Sequence, residues 1–179
     1  RSMRVASALR AAGVGRGDRI GFLAHNIPEY FDMLIGAARI GAVCVAINWR
    51  LAPPEIAQIL DDSGAELVVV APEFASLLAN ATRTMTSDPF VLTTGDPFEH
   101  WIGRAPPGDV TLTDVAPDEV GLQLYTSGTT GTPKGVMLTY ANMRHCAATL
   151  AEQLDLSQNS VNLVSLPLIL GQDGPRVSA

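Results

Sequence analysis

Residues 125–135 of the 179-residue sequence read Tyr125-Thr126-Ser127-Gly128-Thr129-Thr130-Gly131-Thr132-Pro133-Lys134-Gly135. Apolar runs at 120–125 and 136–138 flank this segment, so the pattern predicts a strand, a glycine-rich turn and a second strand. Glycines let a backbone approach a ligand closely, and successive N–H groups in such a turn form a concavity that binds anions. Because hydroxyl groups and the charge of Lys134 add to these donors, we expect the turn to bind a polyphosphate.

A Walker phosphate loop is another interpretation of this turn, since Gly128 lies at the right distance before Lys134. That loop needs glycine directly before the lysine and Ser or Thr directly after it, whereas Pro133 and Gly135 occupy those positions. The segment after the lysine also predicts a strand and not a helix. A polar hairpin turn without a ligand stays open as the alternative, because Ser, Thr and Gly favour turns by themselves.

The string YTSGTTGTPKGVMLTYANM, residues 125–143, resembles the phosphate-loop signature of the adenylate-forming enzymes. This family contains acyl-CoA synthetases, luciferase-like enzymes and adenylation domains. Tyr140 departs from the resemblance, because many relatives carry histidine there. Earlier segments are similar, in order and spacing, to the N-terminal part of acyl-CoA synthetases: GVGRGDRI at 13–20, NIPEY at 26–30, GAV at 41–43, NWRL at 48–51 and ILDDSGA at 59–65.

This resemblance implies ATP-dependent activation of a carboxylic acid, with a fatty acid as the expected class, to an acyl-adenylate and then to a coenzyme A thioester. The implied substrates and cofactors are the acid, ATP, Mg²⁺ and coenzyme A. The residues implied to bind the phosphates of ATP are Thr126, Ser127, Gly128, Thr129, Thr130, Gly131 and Lys134. No catalytic residue or metal ligand is implied in this chain, because the family's remaining motifs would follow Ala179.

The composition is that of a globular protein, with 47% hydrophobic and 17% charged residues. A net charge of −6 argues against a nucleic-acid partner, which needs a basic face. The most apolar run, at 33–49, is interrupted by Arg39, so no membrane span is expected. Cys44 and Cys146 lie among apolar neighbours and are expected to be buried free thiols, which favours a reducing, cytoplasmic setting.

Strands are expected at 19–24, 42–47, 66–70 and 90–93, with helical patterns before, between and after them. This alternation predicts an α/β fold with a mostly parallel sheet flanked by helices, which the resemblance also implies as a partial N-terminal domain. The unbroken apolar run at 67–70 indicates a sheet covered on both faces.

Several side chains receive a structural interpretation. Asn26 is expected to cap the second helix, whose predicted inward stripe is Phe31, Leu34, Ile35 and Ala38. A helix from Tyr140 or Ala141 to about Gln153 is expected to bury Ala147, Leu150 and Ala151, before a strand at 161–166. Turns, caps or packing account for Asp18, Glu29, Arg50, Asp61, Asp62, Trp49, Trp101 and the three histidines, His25, His100 and His145, which lack metal-ligand spacing.

We expect one incomplete domain, with a βαβ part at 1–104, a surface connection at 105–118, and the phosphate loop with its following helix and strand at 119–179. The sequence enters a helical pattern at once, and residues 175–179 do not resemble the family. We therefore expect a fragment, and because the resemblance implies further motifs that are absent before Ala179, we expect it to be inactive alone. Two functional alternatives stay open: an adenylation domain that loads a carrier-protein thiol, and a non-catalytic nucleotide-binding or interaction module.

Overall fold

The computed structural model describes residues 1–106, 114–127 and 133–161. Its helices are α1 (Ser2–Ala11), α2 (Pro28–Ile40), α3 (Pro53–Ser63), α4 (Ala75–Thr82), α5 (Asp96–Gly103) and α6 (Tyr140–Gln153). Its strands are β1 (Arg19–Leu23), β2 (Val43–Ala46), β3 (Ala65–Val70), β4 (Phe90–Thr93), β5 (Val120–Ser127) and β6 (Pro133–Thr139). A short 3₁₀ turn, Pro72–Phe74, precedes α4. The strand predicted at 161–166 lies outside the described residues, apart from Val161.

Within the described ranges the strands form one sheet in the order β4-β3-β1-β2-β5-β6. The pairs β1–β2, β1–β3, β3–β4 and β2–β5 are parallel, whereas β5–β6 is antiparallel. The predicted mostly parallel sheet with flanking helices is therefore confirmed. Because β1 to β5 run in the same direction, their carboxyl ends lie at one edge of the sheet.

Alternate residues of the central strands enter two separate cores. One core contains Cys44 and Val69 together with residues of α1, α2 and α5. The other contains Val45 and Val68 together with residues of α3 and α4. A sheet with helices on both faces buries successive residues of a strand, which explains the unbroken apolar run of β3 and confirms its interpretation.

The buried face of α2 differs from the predicted stripe. Phe31 and Ile35 are 45% and 49% exposed, and the residues of α2 that are buried are Tyr30, Met33, Gly36, Ala37 and Ile40. The reason is the close approach of α1, whose Val5 packs over Gly36. The small residue at the contact with α1 thus lies on the face of α2 that turns inward.

The caps of the helices are partly as predicted. Gly41 and Gly64 end α2 and α3 in the left-handed conformation, with φ of 75° and 63°, which a glycine adopts without strain. The prediction that Asn26 caps α2 is wrong, because the N-cap residue is Ile27 and no side chain provides the cap hydrogen bond. Pro28 at the first helical position has no N–H group, so this end of the helix has one donor fewer to satisfy.

The expected inward face of α6 is also wrong for the part of the chain that the structure describes. The helix begins with a reciprocal cap between Thr139 and Asn142, but none of its residues is buried. Leu150 is 48% exposed, and Cys146, predicted to be buried, is exposed. The cause is position: α6 follows the edge strand β6, which is its principal contact among the described elements.

No described helix combines the length and the apolar character that crossing a bilayer requires.

The carboxylate of Asp61 connects the end of α3 to the segment before β4. It accepts hydrogen bonds from the amides of Thr86 and Ser87 and from the hydroxyl of Ser87, at 2.6 to 3.1 Å. The Ser87 hydroxyl, followed by the Thr86 amide, lowers the pKa of Asp61 from 3.8 to about 2. The folded state is therefore stabilised by the ionised carboxylate.

Gly36→Ala should destabilise the fold, although alanine is the better helix former by about 1 kcal/mol. A Cβ atom at residue 36 would lie 2.6 Å from Cγ1 of Val5, so α1 and α2 would have to separate, at about 1–3 kcal/mol. Gly103→Ala is the matched control, because a Cβ at that helical position meets no atom within 4 Å. Equal urea midpoints for the two variants would show that the α1–α2 contact does not need glycine.

Asp61→Asn should reduce stability at neutral pH and flatten its dependence on acid. A carboxylate with a lowered folded pKa contributes stability above its unfolded value of 3.8, and this contribution is lost as the pH falls through about 2. The difference in unfolding free energy between wild type and Asp61→Asn should therefore shrink as the pH falls from about 4 to about 2. Asp88→Asn, at an exposed position, is the control, and a constant difference across this range would contradict the assignment.

Candidate functional site

The predicted phosphate loop connects β5 to β6 at the edge of the sheet where the parallel strands end. Cross-strand pairing continues to Thr126–Lys134 and Ser127–Pro133, so both strands extend further toward the loop than the apolar runs indicate. Three predicted site residues, Thr126, Ser127 and Lys134, thus lie at the ends of the two strands. The other four lie outside the described residues: Gly128, Thr129, Thr130 and Gly131.

Lys134 is the only lysine in the sequence, and it is exposed. It lies on the edge strand directly opposite Thr126, and directly opposed residues of an antiparallel pair project from the same face. An ammonium group and a hydroxyl group therefore project from one face at the base of the loop. A cationic donor beside a neutral donor is suited to the oxygens of a phosphate group.

The opposite face of the hairpin carries Tyr125, which sequence reasoning missed. Its hydroxyl donates to Oδ2 of Asp62 at 2.6 Å and accepts from Nε2 of Gln123 at 2.9 Å. Burial and the hydrogen bond to Asp62 raise the pKa of Tyr125, so the hydroxyl stays protonated and donates. Asp62 lies 63 positions away in sequence, and no local pattern connects the two residues.

Gly135 pairs with Tyr125 across the hairpin and follows Lys134 directly. A Cβ atom at residue 135 would overlap the amide nitrogen of Gln123 and would lie 3.2 Å from Cζ of Tyr125. Glycine at this position leaves room for both side chains to lie across β6. The residue after the lysine thus has a packing role on the side of the hairpin that faces α3.

Residues that follow β1, β2 and β3 form an aromatic cluster at the same edge of the sheet. The ring of His25 lies 4.7 Å from that of Trp49, which stacks on Phe74 at 5.7 Å. The guanidinium of Arg50 lies 4.4 Å above Trp49, and Nδ1 of His25 is 3.2 Å from the carboxylate of Glu73. His25, Trp49 and Phe74 therefore pack against one another.

A surface cavity of about 440 Å³ lies beside the hairpin and is lined by residues that include Asp62, Gln123 and Met137. Gly17 and Gly41, which precede β1 and β2, also line it, so the cavity extends toward the amino edge of the sheet. Lys134 is not among its lining residues. The phosphate hypothesis therefore depends on the Thr126–Lys134 pair and not on this cavity.

A metal site would need several ligating side chains close together. Among those that the structure describes, no three His, Cys, Asp or Glu side chains come together in a geometry that would hold an ion. The ammonium group of Lys134 has hydrogen-bond donors only, whereas a threonine hydroxyl such as that of Thr126 can donate to an anion or ligate Mg²⁺. Lys134 therefore suits an anion and not a cation.

Comparison with known proteins gives a family and a fold. The profile of the family described as AMP-binding enzyme matches residues 1–171. The chain is 35% identical over 170 residues to the fatty acid–[acyl-carrier-protein] ligase ScoC of Streptomyces coeruleorubidus, covering 93% of this chain and 32% of that protein. It is 37% identical over 175 residues to a feruloyl-CoA synthase of Amycolatopsis sp, covering 94% and 32%.

Among solved structures, the inhibitor-bound N-terminal domain of FACL13 from Mycobacterium tuberculosis superimposes with a TM-score of 0.84 and 33% identity. That alignment covers 94% of this chain and 42% of the other. The chain thus spans about a third of the length of the curated relatives named above.

Gly135→Ala should destabilise the hairpin by about 1 kcal/mol, because its methyl group displaces the Gln123 amide from the Tyr125 hydroxyl. The clash is with a flexible side chain, so the double variant Gln123→Ala/Gly135→Ala should lose little beyond Gln123→Ala alone. Urea denaturation of the wild type, the two single variants and the double variant gives the coupling free energy between the two positions. If the two effects simply add, the obstacle at residue 135 is the ring of Tyr125 and not the Gln123 side chain.

Proposed function

Because this chain belongs to the AMP-binding enzyme family, we propose that the protein that carries it is an acid–thiol ligase, which activates a carboxylic acid with ATP and transfers the acyl group to coenzyme A. The observation that carries the proposal is the pair formed by Thr126 and Lys134, opposite each other at the base of the loop. We propose that the phosphates of ATP are bound there and by Ser127, Gly128, Thr129, Thr130 and Gly131.

The proposed reaction needs positive charge where pyrophosphate leaves. The carboxylate oxygen of the acid attacks the α-phosphorus, the bond to the β-phosphate breaks, and an acyl-adenylate and pyrophosphate form. The thiol of coenzyme A then attacks the acyl carbon and displaces AMP. Preorganised donors stabilise charge that develops on the leaving phosphates, and the ammonium of Lys134 with the hydroxyl of Thr126 suits that role.

Mg²⁺ accompanies ATP in this proposal and neutralises part of the phosphate charge when it is bound. Among the described residues, no three His, Cys, Asp or Glu side chains form a metal site, so the groups of this chain that we propose for the phosphates are the hydrogen-bond donors of Thr126 and Lys134.

A fatty acid is the proposed substrate class, in keeping with the likeness to ScoC, a fatty acid ligase. The similar likeness to a feruloyl-CoA synthase keeps an aromatic acid as the competing class. A carrier-protein thiol is a second candidate acceptor, because ScoC is named for an acyl-carrier-protein. Both cysteines are free thiols, which supports a proposed reducing, cytoplasmic setting.

Lys134→Ala in the full-length gene product should lower kcat/KM for ATP by about 10²-fold, the usual effect of removing one preorganised donor. The measurement is acid-dependent exchange of labelled pyrophosphate into ATP, driven separately by fatty acids, benzoate and ferulate. Lys134→Arg should recover part of the rate, because the positive charge is kept while its position changes.

Arg83→Ala is the control for the loss of one positive charge, since Arg83 is an exposed residue at the end of α4. It should leave the exchange rate unchanged. Equal activity of Lys134→Ala and Arg83→Ala would remove Lys134 from the phosphate site. Exchange driven by none of the acids would overturn the proposed ligase activity itself.

A further inference from the structure

Tyr125 directly precedes Thr126 on β5 and lies on the opposite face of the hairpin. Its hydroxyl connects the hairpin to α3. The residue is 6% exposed and belongs to the core beneath α3 and α4. The hydroxyl donates to Asp62 and accepts from Gln123. Its donor and one of its acceptor sites are therefore both used.

The carboxyl end of α3, which carries Asp62, is restrained by several contacts. Ile59 and Leu60 are buried in the core, and the carbonyl of Ser63 accepts from Nε of Arg19 at 2.6 Å. The preceding residue, Asp61, binds the segment at 86–87. A hydrogen bond from Tyr125 to Asp62 thus joins the end of β5 to a rigid point outside the hairpin.

The hairpin needs such a connection because β6 is the edge strand of the described sheet and pairs only with β5. Val136 and Met137 on β6 are 43% and 64% exposed, so packing restrains this strand weakly. Tyr125 and Gly135 form the pair next to Thr126 and Lys134, and successive pairs project from opposite faces. A displacement of Tyr125 therefore displaces the neighbouring pair.

We propose that Tyr125 is a positioning residue for triphosphate binding, which through its hydrogen bond to Asp62 fixes the Thr126–Lys134 pair relative to α3. The inference rests on the proposed function, because it assigns a role in the same site. Tyr125 does not touch the ligand and is not a catalytic residue. It sets where the hydroxyl and ammonium groups at the base of the loop are presented.

Tyr125→Phe in the full-length gene product tests the hydroxyl alone. The ring still fills its place in the core, and Asp62 is exposed, so water replaces the lost partner and the variant folds. KM for ATP should rise by about tenfold, the factor that corresponds to the free energy of one hydrogen bond to a charged group. KM for the acid should not change, whereas partial unfolding would lower the rate and leave both KM values unchanged.

Asp62→Ala should raise KM for ATP by the same factor, and the double variant Tyr125→Phe/Asp62→Ala should be no worse than either single one. Asp62→Asn should recover most of the affinity, because its side-chain oxygen accepts from the Tyr125 hydroxyl. Tyr140→Phe is the matched control, since the Tyr140 hydroxyl is buried without a hydrogen-bond partner among the described residues. It should have the KM for ATP of the wild type.

The proposal is overturned if Tyr125→Phe has the KM for ATP of Tyr140→Phe, if both KM values rise together, or if the effects of Tyr125→Phe and Asp62→Ala multiply. A wild-type enzyme without acid-dependent exchange of pyrophosphate into ATP would instead overturn the proposed function. In that event hydrogen exchange at the amides of Thr126 and Lys134 decides the positional claim. Exchange faster by about tenfold in Tyr125→Phe supports it, and unchanged exchange contradicts it.

Discussion

The parallel pairing of β5 with β2 is the contact on which the location of the candidate site depends. Cys44 pairs with Leu122 and Ala46 with Leu124, which places a late segment of the chain beside an early, fully buried strand. An isolated two-stranded hairpin is marginally stable in water, so β5 and β6 need this neighbour. The pairing also gives β5 the direction of β1 to β4, and the loop after β5 therefore begins at the carboxyl edge of the sheet.

The two faces of the hairpin carry different groups. On one face, Tyr125, Gln123 and Gly135 pack toward α3 and are joined to it by the hydrogen bond to Asp62. On the other, Thr126 and Lys134 remain available to a ligand. Groups that are already in place lose less conformational freedom on binding, so the proposed phosphate site would benefit from a base that is joined to α3. Membership in the AMP-binding enzyme family agrees with this arrangement.

The helices and strands could be predicted because the signals that mark them come from neighbouring residues in the sequence. The apolar run of β3 and the glycines that end α2 and α3 each report on neighbours in sequence. The predicted stripe on α2 is wrong at Phe31 and Ile35, because the contact with α1 requires Gly36 and that contact joins segments distant in sequence. The Tyr125–Asp62 bond spans 63 positions, and the pairing that creates it exists only once the sheet has formed.

The central claim is that the side chain of Lys134 contacts the terminal phosphates of a nucleoside triphosphate. In the full-length gene product, with lysine labelled with ¹⁵N at Nζ and ¹³C at Cε, the Lys134 signal is assigned by its absence from a Lys134→Arg sample. Titration with ATP should move this signal until it saturates, and AMP, which lacks the β- and γ-phosphates, should leave it in place. A signal that ignores ATP, or that responds equally to AMP, would contradict the account.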